Sequence, residues 1–83
     1  MPSKDDFRAT LEKIFEVARD MRLTGVVVKS GNLHRFVGGY PGANHRMPMC
    51  CDAMRQMMRE GDQILSEPPS GKGASLEILF RLN

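Results

Sequence analysis

This sequence has little cysteine, no long apolar run and, over one third of its length, no acid. The only cysteines of the 83 residues are the neighbours Cys50 and Cys51. Adjacent cysteines rarely bridge, because their side chains diverge and the ring would be strained. A disulfide framework is therefore excluded, and a reducing, cytoplasmic location is expected. No uninterrupted apolar run exceeds three residues, Val26-Val27-Val28 among them, which excludes a membrane-spanning helix. No apolar segment follows the first basic residues, so no secretory signal is expected. Residues 23–51 carry Lys29, Arg35 and Arg46, both histidines, and no Asp or Glu. The flanking segments are mixed in charge, and the whole chain nets only +2. The acid-free stretch therefore suggests a face turned toward a polyanion.

What is present is an ordinary globular composition, 41% apolar and 27% charged. The length suits one domain over residues 1–83 with a thin stability margin. Ser3 to about Arg22 predicts an amphipathic helix. Phe7, Leu11, Ile14, Phe15, Ala18 and Met21 recur at steps of three and four. Ser3 with Asp6 three residues on forms a capping-box pattern with Asp in place of Glu. Gly25–Lys29 is β-branched and short, and predicts a strand. Ser30 is placed to cap a second helix whose apolar side would be Leu33, Phe36 and Val37, with His34 and Arg35 pointing away. Gly38-Gly39 ends it, and residues 40–44 form a turn.

Pro48 suits the start of a third helix running to about Glu60 and stopping at Gly61. Its inner stripe would be Met47, Cys51, Met54 and Met58, widened by Cys50 and Met57. Met49, Asp52, Ala53, Gln56 and Arg59 would form the outer face, with Arg55 at a flank. Residues 63–67 predict a strand, residues 68–74 a loop, and Ser75–Leu82 the clearest strand of the chain by its period-two alternation. The last two strands would form a hairpin, with the strand at 25–29 as a third member of the sheet.

Helix, strand, helix, turn, helix and hairpin is an order that resembles a winged-helix domain. The resemblance implies an α+β fold, a winged helix-turn-helix of three helices with a small antiparallel sheet, and a frequent role in DNA binding. The inter-helix turn, long and glycine-rich, departs from the well-known members. Ser30-Gly31-x-Leu33-His34, Val37-Gly38-Gly39-Tyr40-Pro41-Gly42, Asn44-His45-Arg46-Met47-Pro48 with Cys50-Cys51, and Pro68-Pro69-Ser70-Gly71-x-Gly73-Ala74-Ser75-Leu76 resemble a family of small bacterial proteins of no established activity. That second resemblance carries over no catalytic or binding residue.

In helix-turn-helix proteins the second helix of the pair enters the major groove with its N-terminal residues foremost. Here that end offers Asn44, His45 and Arg46, with Arg55 and Gln56 further along and Arg35 on the preceding helix. Asn and Gln pair with adenine, and Arg with guanine or phosphate. Lys72, between two glycines in the wing, is a flexible cation within reach of a phosphate. Double-stranded DNA is the expected partner. A protein-interaction winged helix or a homodimer, using the first helix or Met49 and its neighbours, is the alternative, favoured by Asp52 on the outer face and by the modest basicity.

Three catalytic or metal readings carry less. Ser70-Gly71-Lys72-Gly73-Ala74-Ser75 lacks the glycine at position 66, the hydroxyl after the lysine and the following helix that a phosphate-binding loop needs. His34, His45, Cys50 and Cys51 have zinc-type donors, but adjacent helical residues point about 100° apart and cysteine is often a core residue. A Cys–His nucleophile would need a base in reach, which no spacing here indicates. No enzyme activity, metal or cofactor is expected.

Overall fold

The computed structural model describes residues 3–38 and 46–82. Its elements are α1 (Lys4–Asp20), β1 (Gly25–Lys29), α2 (Ser30–Val37), α3 (Met47–Gln56), β2 (Gln63–Ser66) and β3 (Glu77–Arg81). The fold is α+β: three helices against a three-stranded antiparallel sheet of order β1-β3-β2.

At the start of α1 the Asp6 N–H donates to Ser3 Oγ (3.2 Å) and the Ser3 N–H to Asp6 Oδ2 (2.8 Å), so both halves of the capping box form. Phe7, Leu11, Phe15 and Ala18 are the buried stripe. The helix ends where Arg22 adopts φ 63°, and the Leu23 N–H reaches back to the Ala18 carbonyl at 3.0 Å. That satisfies an orphan carbonyl as a glycine terminator would, with an arginine in the left-handed conformation.

β1 runs into α2 with no loop between them. Lys29 is therefore the N-cap and provides no side-chain cap; Ser30, expected as the cap, is the first helical residue. Its hydroxyl donates instead to the Gly73 carbonyl at 2.8 Å. The buried side of α2 is also rotated from the expected one. Ser30, Leu33 and His34 are buried and Val37 packs against the core, whereas Phe36 is 78% exposed. His34, expected to point outward, is fully buried, with its ring edge-on to Phe7 at 4.9 Å between centroids. Eight residues admit either stripe. Burying 30, 33, 34 and 37 ties Ser30 to the loop carbonyl and gives His34 a donor from Arg46, the residue before α3, and these contacts favour that stripe.

α3 begins one residue before Pro48 and ends at Gln56, four residues earlier than the expected Glu60. Its last turn tightens, with the Met57 N–H donating to Ala53 and Met54 and the Met58 N–H to Arg55. Asp62 then holds the return of the chain. Its Oδ2 accepts from the Arg59 N–H (2.8 Å) and its Oδ1 from the Arg81 N–H (2.7 Å). Gly61, at φ 95°, belongs to that turn and not to the helix end. Met47, Cys50, Cys51, Ala53 and Met54 are buried, and Met49 packs partly against the core. Ala53 and Met49, expected on the outer face, are thus inward, because α3 is wedged between α1 and the loop before β3 and is covered on a wide arc.

β3 is the central strand. It sends Ile78 and Phe80 into the core beside Val28, and Phe80 meets Phe15 at 4.9 Å. β1 pairs with it without a break from Gly25–Arg81 to Lys29–Glu77, while the β2 pairing is irregular between Ile64 and Ser66. Among the described residues no helix is long and apolar enough to cross a membrane.

Candidate interaction surfaces

The residues read for DNA contact fall into three groups. Asn44 and His45 lie outside the described residues. Arg35 is exposed on α2, with its guanidinium donating to Asn32 Oδ1 at 3.3 Å. Arg46, Arg55, Gln56 and Lys72 sit on or beside α3. Arg46 caps α3 and its N–H donates to His34 Nε2 at 2.7 Å, so in the neutral imidazole the proton is on Nδ1. Arg55 lies beside Gly71 in the loop that carries Lys72, and donates to Glu67 Oε1 at 2.9 Å. Gln56 accepts from the Arg8 guanidinium, and Asp52 stands one turn before it on the same helix. Lys72 is exposed, its N–H directed at Ser70 Oγ (3.3 Å).

The stretch that is acid-free in sequence is not acid-free in space. Glu77 stands opposite Lys29 across the sheet, and just beyond that stretch Glu67 pairs with Arg55 while Asp52 lies half-buried on α3. Cations remain around this face, but the folded surface is mixed rather than a basic stripe.

Cys50 and Cys51 are free thiols buried in the core. Cys50 Sγ–H points at the Ser30 carbonyl (3.5 Å) and Cys51 Sγ–H at the Gly73 carbonyl (3.3 Å). Burial, reinforced by the neighbouring Cys51, pushes the Cys50 thiol up to about 12. Burial also raises Cys51, against the opposing pull of the Ser30 bond and Arg55. A nucleophilic thiol needs the reverse, an electropositive and open setting. Among the described residues no three His, Cys, Asp or Glu side chains are grouped to hold a metal ion.

A second surface lies between α1, β1 and α2. Val17, Met21, Leu23, Val27 and Phe36 account for five of the seven large apolar side chains exposed among the described residues, and all five line one groove of about 560 Å³. The charged lining residues are Lys13 and Lys29. Sequence periodicity places Met21 and Phe36 on inward stripes, whereas both are exposed here, so the pattern alone does not show this surface. Its one visible signal was that α1 and α2 carry more apolar residues than a single buried stripe can use.

No protein family, curated protein or solved structure matches this chain.

Proposed function

We propose that this chain is a winged-helix domain that works as a protein-interaction module. The element order, the sheet order β1-β3-β2 and the loop over residues 67–76, as the wing, support the architecture. The concentration of exposed apolar side chains into the α1–β1–α2 groove carries the function. Singly scattered apolar residues are normal on a protein surface, whereas a contiguous patch marks a binding face.

Duplex DNA binding through Arg35, Asn44, His45, Arg46, Arg55, Gln56 and Lys72 is the second reading. It is favoured by the wing loop lying against α3, with Lys72 next to the residue that Arg55 approaches. Glu67 and Asp52 weigh against it, since each would face the phosphates.

Selection of displayed random peptides on the full chain tests the first reading, and binding of labelled mixed-sequence duplex DNA tests the second. An interaction module yields peptides that lose binding to Met21→Glu and Phe36→Glu, keep it with Arg46→Ala and Lys72→Ala, and depend weakly on salt. Duplex binding that falls steeply with salt and weakens in Arg46→Ala and Lys72→Ala, with no groove-dependent peptide, would replace the first reading by the second.

A further inference from the structure

The groove follows the free edge of the sheet. Among the described residues β1 pairs only with β3, so its other edge carries no strand there. Two bonds fix which backbone groups face that edge. The Leu82 N–H donates to the Thr24 carbonyl (3.0 Å) and the Ser30 N–H to the Leu76 carbonyl (2.8 Å). With the register unbroken between these points, residues 24, 26, 28 and 30 direct their polar groups at β3. Gly25, Val27 and Lys29 direct theirs the opposite way. The groove is lined by the four consecutive residues Val26–Lys29, from both faces of the strand, so it runs along the edge itself.

From this we infer that the groove takes an extended peptide segment that adds to β1 as a fourth strand, apolar on one side and acidic on the other. The inference rests on the interaction-module reading and names its partner. A helix laid in the groove would bury the outward N–H and C=O groups of Val27 with no backbone groups to meet them. A strand meets each one. The side chains of such a strand alternate. One set faces the wall formed by Ile14, Val17 and Leu33, which is apolar. The other set faces outward with Val27 and Lys29. The charges that line the groove are cationic, Lys13 and Lys29, and neither closes an ion pair among the described residues, although Glu77 stands opposite Lys29 on β3. An acidic residue on the incoming strand supplies the missing charge. A second copy of this chain would instead bring two more lysines to the same groove.

The probe is the displayed random-peptide pool, selected on the wild-type chain and on a Lys13→Glu, Lys29→Glu double variant. Both lysines are exposed, so the variant keeps its core. Wild type should recover sequences alternating apolar with Asp or Glu; the variant should recover Lys or Arg at the acidic places. The bound wild-type peptide should slow hydrogen exchange at the Val27 amide, which a partner covering only side chains would not do. Peptides that lack the acidic bias, or keep it in the double variant, overturn the assignment. So does binding that leaves the Val27 amide exchanging freely, or a chain that dimerises through β1. Peptides lost in Met21→Glu that leave Val27 unprotected sink the strand but keep the interaction module; recovery of no peptide at all sinks both.

Discussion

Cys50 illustrates how one residue's surroundings decide its chemistry. Its thiol is held protonated by burial and by Cys51, from an ordinary 9.0 to about 12. Above pH 9.0 the unfolded thiol ionises while the folded one does not, so the unfolded state binds fewer protons. Stability contributed by this group is complete below pH 9.0 and falls as pH rises toward 12, the sign opposite to that of a paired carboxylate. Denaturant titrations across that range should show a steeper loss in wild type than in Cys50→Ala. At neutral pH a thiol reagent should label the chain only as fast as it opens, and labelling should speed up with denaturant. Arg22 is the second case. Its left-handed backbone costs about 1 kcal/mol that glycine would not pay in the folded state, partly offset by glycine's freer unfolded chain. Arg22→Gly should therefore raise the unfolding free energy by no more than about 1 kcal/mol, read as a slightly higher denaturant midpoint; a lower midpoint would show that the arginine side chain makes a compensating contact.

At the scale of the element, α2 is the instructive one. The sequence pattern reads Leu33, Phe36 and Val37 as its inner side, yet the folded helix buries Ser30, Leu33, His34 and Val37. Two substitutions separate these stripes. Leu33→Ala removes a buried side chain and should cost about 2–5 kcal/mol in thermal or denaturant unfolding. Phe36→Ser, at an exposed position, should stay within about 0.5 kcal/mol of wild type. An equal loss from both would restore the stripe that the pattern suggests. α1 stands at the other extreme. Its seventeen residues repeat the apolar spacing over nearly five turns, and its cap, its charged ends and its stripe as far as Ala18 are readable; Met21, expected on that stripe, lies past the helix end and is exposed. Eight residues with a histidine and a serine on the inner side do not repeat enough to set a phase.

At the scale of the whole molecule, the loop before β3 ties helices and sheet together by hydrogen bonds. The loop before β3 crosses the start of α2, where Ala74 accepts from the Gly31 N–H (3.0 Å), Leu76 from the Ser30 N–H, and Gly73 from both the Ser30 hydroxyl and the Cys51 thiol. A Cβ on Gly31 would lie 3.1 Å from the Ala74 carbonyl oxygen and 3.2 Å from its Cβ. That oxygen cannot retreat without giving up its bond to Gly31. Gly31→Ala should therefore cost about 1–3 kcal/mol, as overpacking does. Ser30→Ala should cost about 1 kcal/mol and open the loop to proteolysis first. A domain of this size has only about 4–12 kcal/mol in total, at about 0.05–0.15 kcal/mol per residue. Gly31→Ala thus removes a sizeable share, and its melting curve should shift as one cooperative transition; separate transitions for helices and sheet would deny the tie.

The sequence by itself determined the order of the elements, the α1 stripe and its capping box, the inward side of β3, and the free, core-type cysteines. Each of these follows from local chemistry or from a period repeated several times. The tertiary structure decided the rest. The phase of α2 depends on partners more than ten residues away, His34 on Arg46 and Ser30 on Gly73. The end of α3 depends on Asp62, which accepts from Arg59 before it and Arg81 after it. The charge of the α3 face depends on Glu67, which no local spacing links to Arg55. The apolar groove exists only because α1, β1 and α2 meet with their surplus apolar residues on the same side. Side-chain periodicity tells which residues prefer to leave water; which of them find cover is set by the neighbours that folding brings.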